Sequence, residues 1–290
     1  MMRLISSLSD VAQNYDALFV DLWGCVHNGV TPFASAVSAL QAYRASGGIV
    51  ILVTNAPRHR ASVQGQLAKI GVAEDSWDDI ATSGDSARAA MFTGAVGEKV
   101  YFIGEQHDHS FFDPLALIEN PDEITRVPLS EADGIVCCGP FDPKADPDES
   151  RPDLLYAKQK GLKLLCANPD IVVDRGESRE WCAGKLAEMY TEMGGTSLYF
   201  GKPHPPIYDL ARRRLAALGR DIADSRILAI GDGINTDIEG ALGEDIDSLF
   251  ITGGLAAAET ATRTDPDAAK LDAFIAAKGI SPTFAIGHLR

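Results

Sequence analysis

The chain has 290 residues, 46% hydrophobic and 23% charged, which is ordinary for a globular protein and long enough for one large domain or two modest ones. Its 26 Lys and Arg stand against 41 Asp and Glu, a formal net charge of -15 that repels nucleic acids and anionic membranes and argues against both as partners. The same field repels an anionic metabolite, so a phosphate site here requires a local cation, from a metal or a well-placed Lys.

At the amino terminus, residues 1–16 lack a basic segment followed by a long apolar run, and no stretch approaches the ~20 apolar residues that cross a bilayer. The five cysteines (Cys25, Cys137, Cys138, Cys166 and Cys182) form no CxxC pair, so buried, reduced thiols in a cytoplasmic protein are expected. Short apolar runs then alternate with helical stretches. In chain order these are a strand ALFV (17–20), a helix over 34–46, a strand IVILV (49–53) and helices over 61–69 and 86–91. Strands VYFI (100–103), GIVCC (134–138), LKLLC (162–166) and SLYF (197–200) follow, with an exposed acidic loop over 140–152. A helix over 205–218 has Pro205 in its first turn and Gly219 after its end; strands ILAI (227–230) and SLFI (248–251) come next, and the Ala- and Thr-rich run 256–264 reads as a late helix.

Continuous apolar runs bounded by Gly, Asp or Asn suit strands covered on both faces, and their alternation with helices predicts an α/β fold, a Rossmann-like, doubly wound, mostly parallel sheet. Ligands bind such a sheet beyond the carboxyl ends of its strands. Four ends carry chemistry: Asp21 after ALFV, Thr54-Asn55 after ILV, Gly201-Lys202 after YF, and Gly231-Asp232 after LAI. The early and late pairs are separated by a block with three strands of its own. That spacing predicts a split core, residues 1–82 and 179–290, with an inserted α/β cap domain over 83–178.

Asp21, at a strand end before the Gly-punctuated loop LWGCVHNG, has a nucleophile's position, although a carboxylate there also serves as a simple turn cap. Asp232 and Asp237, in GDGINTD, are hard oxygen donors of the kind that hold Mg²⁺, and also a common turn and helix-cap pattern. Thr54 offers a hydroxyl and a backbone amide and Lys202 an ammonium, which together suit the equatorial oxygens of a phosphoryl group.

The segments DLWGCVHNG, VTNAP, TSGDSARA, ANPD, YFGKPHPPIYD and GDGINTDIEGA, in this order and spacing, resemble the haloacid dehalogenase (HAD) superfamily, most closely its NagD-like class IIA branch with the larger α/β cap. The resemblance implies a phosphatase for small phosphomonoesters such as sugar, glycerol or nucleotide phosphates. In it Asp21 forms an aspartyl-phosphate, the Trp23 backbone carbonyl joins Asp21 and Asp232 around Mg²⁺, and Asp237 supports the metal. Thr54, with Asn55 beside it, would hold the phosphoryl oxygens, Lys202 would order the nucleophile, and the cap would close over the site and choose the leaving group. Caps of this type can carry dimer contacts, so a homodimer is compatible with it.

The sequence departs from the pattern at Trp23, where most phosphatases of the superfamily have a second Asp that protonates the leaving oxygen and then activates water. Indole can do neither, and such help is worth ~10² to 10⁴ in rate. Substitutes are His27 in the same loop, whose ordinary pKa suits the task, or a cap acid such as Asp170 or Glu105. The alternative is a protein of the same fold that binds Mg²⁺ and phosphate, or keeps its phosphoryl group, without turning over. A receiver domain is excluded by the long interval from Thr54 to Lys202, and a dinucleotide site by the absence of GxGxxG after Gly231. His107-Asp108-His109 reads as a charged loop and Cys25 as a packing thiol.

Overall fold

The computed structural model describes residues 2–113, 120–175 and 178–290. Among these, the strands in chain order are β1 (Arg3–Leu4), β2 (Ala17–Val20), β3 (Ile49–Thr54), β4 (Asp79–Thr82), β5 (Lys99–Ile103), β6 (Thr125–Arg126), β7 (Gly134–Cys137), β8 (Lys163–Cys166), β9 (Val172–Arg175), β10 (Ser178–Trp181), β11 (Thr196–Tyr199), β12 (Ile227–Gly231), β13 (Asp247–Ile251) and β14 (Phe284–Ile286). The α-helices are α1 (Ala34–Ala45), α2 (Arg60–Ile70), α3 (Ser83–Met91), α4 (Arg151–Gln159), α5 (Ala183–Glu192), α6 (Pro205–Ala217), α7 (Glu239–Gly243) and α8 (Ala268–Lys278). The chain divides into two compact units, Met1–Thr54 with Gln64–Ala81 and Tyr208–Arg290, and Asn55–Val63 with Thr82–Ile207.

The first unit carries a seven-stranded sheet in the order β1-β14-β13-β12-β2-β3-β4. Every residue of β2, β3 and β12 is buried, the signature of strands covered on both faces, and β2 pairs in parallel with both β12 and β3. Strand order therefore switches at β2, with a late strand on one side and an early strand on the other. The carboxyl ends of β12, β2 and β3 lie side by side, which aligns the segments that carry Asp232, Asp21 and Thr54. Helix α1 buries Ala36, Leu40 and Tyr43, and the Tyr43 hydroxyl donates to the Tyr15 carbonyl at 3.0 Å. Asp78 takes a bidentate grip from Arg44 and accepts the Val50 amide at 2.8 Å, which pins the edge of β3.

The second unit has a five-stranded sheet, β11-β8-β7-β5-β6, parallel throughout, and a two-stranded antiparallel pair of β9 and β10. Its apolar runs divide between two cores by simple alternation. Ile135, Cys137, Leu164 and Cys166 pack with Leu186 and Tyr190 on one face, while Val136, Cys138, Leu165 and Ala167 pack with Met91 and Phe111 on the other. The thiols fill small apolar positions in these two layers, and all five cysteines of the chain are buried and unbridged.

Two elements differ from the sequence expectation. Strand SLYF was expected in the core; it appears as β11 and pairs with β8 of the second sheet, so this unit extends to Ile207 where the sequence reading placed its end at 178. An apolar run of four residues does not reveal which of two parallel sheets it joins. The run 256–264 is a series of turns, not a helix, and the late helix is α8 instead. The hydroxyls explain it: Thr260 Oγ1 donates back to the Ala256 carbonyl at 2.7 Å, Thr262 Oγ1 donates to Thr252 Oγ1 at 2.8 Å, and Ala261 takes a left-handed φ of 49°. Helix α3 begins three residues earlier than expected because Thr82 Oγ1 caps it by accepting the Asp85 amide at 2.9 Å. No described helix is long and apolar enough to cross a membrane.

Candidate active site

Asp21 follows directly on β2, and its amide donates to the Ile230 carbonyl at 2.8 Å, extending the β2–β12 alignment by one residue. Asp232 leaves β12 on the adjacent strand. Ligating atoms of Asp21, Asp232 and the Cys25 thiol all lie within 4.8 Å of one another, and all three residues are buried. Asp232 Oδ2 also accepts the Leu255 amide at 2.9 Å. Gly24, at φ +74°, and Gly254 both face this carboxylate so closely that a methyl group on either would run into it. The carboxylate thus sits in a cradle of bare backbone.

This donor set fits a magnesium ion. Two carboxylates on neighbouring strand ends are the hard oxygen ligands the ion takes from protein, and two buried like charges this close favour a cation between them. Cys25 adds a softer atom to the same cluster, where the sequence reading had only a packing thiol. Among the described residues this is the one grouping of three such side chains.

Asp237 lies on a π-helical turn, Ile234–Ile238, where its Oδ2 accepts the Gly233 amide at 3.1 Å and the Thr236 hydroxyl at 3.3 Å. A methyl at Gly231 would strike its carboxyl group. These partners organise the loop after β12 that presents Asp232.

The loop after Asp21 folds back on itself. Val26 and His27 amides both donate to the Leu22 carbonyl, and the Gly24 amide donates to the His27 carbonyl at 3.0 Å. His27 is 1% exposed; its Nδ1 accepts the Gly29 amide at 2.9 Å, which places the ring proton on Nε2, and its ring meets Trp23 edge-on at 5.2 Å. The Trp23 indole covers Gly29 so tightly that no Cβ fits there. Burial pushes the His27 pKa down to about 4. That burial bears on the expectation of His27 as a substitute acid, and the ring's contacts shape the loop.

Thr54 closes β3 and is 2% exposed. Asn55 and Lys202, each 3% exposed, belong to the second unit and are bound to each other. The Lys202 amide donates to Asn55 Oδ1 at 2.7 Å, and Asn55 Nδ2 donates to the Lys202 carbonyl at 3.1 Å and to Asp170 Oδ1 at 2.8 Å. Both N–H bonds of the carboxamide are thereby engaged within the second unit. Asp170, weighed as a substitute acid, is a hydrogen-bond acceptor in this cluster. Glu105 caps the 3-10 segment Gln106–Phe112 together with the buried Asp108, and His109 meets Phe102 edge-on at 5.4 Å.

Two contributors escaped the sequence reading. The Gly253-Gly254-Leu255 turn after β13 carries the amide that holds Asp232; its signal was a glycine pair directly after an apolar run. Asp170 as a partner of Asn55 had no sequence signal beyond its place in ANPD.

Comparison with known proteins gives the same identity. A haloacid dehalogenase-like hydrolase model matches residues 18–116 and a HAD-hydrolase-like model matches residues 199–276. A solved hydrolase of the haloacid dehalogenase-like family from Brucella suis 1330 is 39% identical, covers 99% of this chain and 100% of its own, and superposes with a TM-score of 0.85. D-glycerol 3-phosphate phosphatase of Mycobacterium tuberculosis is 26% identical over 273 residues, 89% of this chain and 69% of that protein. A glycerol phosphate phosphatase from the same organism, solved with magnesium, shares the fold at a TM-score of 0.66 and 23% identity, over 96% of this chain and 76% of its own. With Asp21 and Asp232 converging at adjacent strand ends in the expected order, the chain belongs to the haloacid dehalogenase-like hydrolase family.

Proposed function

We propose that the protein is a magnesium-dependent phosphatase for small phosphomonoesters that works through a phosphoryl group on Asp21. The observation that carries this reading is the convergence of the buried Asp21 and Asp232 carboxylates within 4.8 Å at neighbouring strand ends. Asp21 attacks phosphorus as the bond to the ester oxygen breaks; the leaving oxygen takes a proton from water and departs as the alcohol, and a second water then attacks phosphorus, releasing inorganic phosphate and regenerating the carboxylate. Asp21, Asp232 and the Trp23 carbonyl would hold the cation, which would supply charge neutralisation for a phosphate dianion. Thr54 gives a hydroxyl to the phosphoryl oxygens, and Lys202 a fixed positive charge, in a protein whose overall field opposes an anion. The second unit, Asn55–Val63 with Thr82–Ile207, acts as the cap that selects the leaving group, and the protein works in the cytoplasm. The phosphatase names of the relatives support the substrate class.

The leaving oxygen has no acid in the nucleophile loop, since Trp23 has no titratable group and His27 stays neutral down to about pH 4. Activated aryl phosphates should therefore turn over faster than alkyl phosphates. The same observation favours a second reading, a protein that keeps its phosphoryl group and acts by binding. Phosphate release from an aryl phosphate and from glycerol and sugar phosphates, with Mg²⁺ or with chelator, tests both. Mg²⁺-dependent release supports the enzyme; stable phosphorylation without release supports the second reading; neither release nor phosphorylation rules out both.

A further inference from the structure

We infer that Asn55 and Asp170 are positioning residues for Lys202, a role that rests on the reading of Lys202 as the phosphoryl-binding cation. The argument begins with the hydrogen-bond capacity of a carboxamide, which has two N–H donors and one carbonyl oxygen. At Asn55 the oxygen receives the Lys202 amide, one N–H goes to the Lys202 carbonyl, and the other goes to Asp170. A side chain that pairs with both the amide and the carbonyl of a single residue imitates the two-bond exchange of an antiparallel strand pair. It fixes that residue's main chain in position and in rotation. The partners also fix which end of the carboxamide is oxygen, because only Oδ1 can meet an amide and only Nδ2 a carbonyl.

Three features make the arrangement specific to Lys202. Gly201 is required beside it: a Cβ there would collide with Asn55 Oδ1, Pro169 Cδ and Ser83 Oγ, so the chain approaches the clamp only without a side chain. Asn55 and Lys202 are both 3% exposed, so water cannot replace these bonds once they are lost. Asp170 is held in turn, its amide donating to Asn168 Oδ1 at 3.1 Å. The hydrogen-bonded series Asp170–Asn55–Lys202 therefore runs from a carboxylate, through an amide, to the backbone of the cationic residue. A Lys side chain has four rotatable bonds, and its ammonium can be placed reproducibly only if its Cα is fixed. Misplacing a catalytic group by about 1 Å costs on the order of 10²-fold in rate.

The test is a double-mutant cycle on the full-length protein, with turnover of an aryl phosphate and the dissociation constant of orthovanadate read for wild type, Asn55→Ala, Lys202→Ala and both together. Asn55→Ala is expected to lower kcat by ~10 to 10²-fold with a smaller change in KM, and to change neither kcat nor vanadate affinity by more than about twofold when Lys202 is already Ala. Asp170→Asn, which keeps an acceptor oxygen but removes its charge, should lose only a few-fold, again with no further loss in the Lys202→Ala background. If Asn55→Ala loses the same factor in both backgrounds, its side chain acts independently of Lys202 and the inference is overturned. A wild-type kcat in Asn55→Ala overturns it as well. If Lys202→Ala itself retains wild-type turnover, the reading of Lys202 fails first, and the two failures are told apart. Should Asn55→Ala not fold, as judged by its melting curve, Asn55→Ser and Asp170→Asn carry the same coupling test.

Discussion

The molecule contains two parallel sheets built from similar apolar strands, yet their carboxyl ends are put to different uses. In the seven-stranded sheet, β2 and β12 end in buried carboxylates that face each other, and a third neighbour, β3, ends in Thr54. In the five-stranded sheet, β7 and β8 end in Cys137 and Cys166, packed together in one apolar layer, and the segment after β11 carries Lys202 under the Asn55 clamp. Strand order does not make the difference, since it reverses at β2 in the first sheet and at β5 in the second; the residues at the strand ends do, and after β2 and β12 they gather charge that a cation can join. The second sheet concentrates its strand ends on packing, and the main chain of Lys202 beyond β11 is held by hydrogen bonds.

The largest effect that would sharpen this contrast is at Asp232. Asp232→Asn removes one of two metal carboxylates, so Mg²⁺ affinity and kcat should each fall, the latter by ~10³-fold, while the melting temperature without metal holds or rises because a buried like-charge pair is relieved. Calorimetric Mg²⁺ titration beside a melting curve checks both; unchanged Mg²⁺ affinity would remove Asp232 from the metal site.

Trp23→Asp comes next. Supplying the carboxylate that the resemblance leads one to expect should raise turnover of alkyl phosphates by about 10²-fold and of aryl phosphates much less, because only the poorer leaving group needs a proton. An equal change for both substrate types would show that leaving-group protonation is not the limiting step.

His27 gives a pH effect of similar size on stability. Its folded pKa, about 4, lies below the ordinary 6.5, so between these values the unfolded chain binds a proton that the folded chain does not. Stability therefore falls as pH drops from 6.5 to about 4, by up to about 3 kcal/mol, and is unaffected by this group above 6.5. His27→Asn, which can still accept the Gly29 amide, should flatten denaturant-measured stability across that window. A slope as steep as wild type would mean that His27 is not its source.

The smallest effect is expected in the second sheet. Burial pushes the Cys137 thiol up to about 12 and those of Cys138 and Cys166 well above their usual range, so none should react with a thiol reagent in the folded protein at neutral pH. Alkylation faster than unfolding would show that these layers open.

Much of this contrast was legible in the sequence, and the rest was not for physical reasons. ALFV, IVILV and ILAI announced β2, β3 and β12 because strands covered on both faces must be apolar throughout, and their terminal Asp21, Thr54 and Asp232 could be read as a set. SLYF was placed in the wrong sheet because an apolar run encodes burial and not its neighbour. The turns over 256–264 looked helical because Ala favours helix, while the hydrogen bonds of Thr260 and Thr262 prevail only once Thr252 is beside them. His27 looked like a titrating group because sequence reveals its ordinary pKa and not its burial. The resemblance implied a phosphate role for Asn55 beside Thr54, while its engagement by Lys202 and Asp170 spans intervals that no local pattern reveals.

The central claim, that Asp21 becomes the phosphoryl carrier beside Asp232, is tested most directly by intact-protein mass spectrometry of acid-quenched reactions with an aryl phosphate and Mg²⁺. Wild type should gain the mass of one phosphoryl group, on the peptide containing Asp21, and lose it as phosphate is released, while Asp21→Asn and chelator-treated protein should gain nothing. A phosphoryl group on any other residue, or phosphate release that persists in Asp21→Asn, would contradict it.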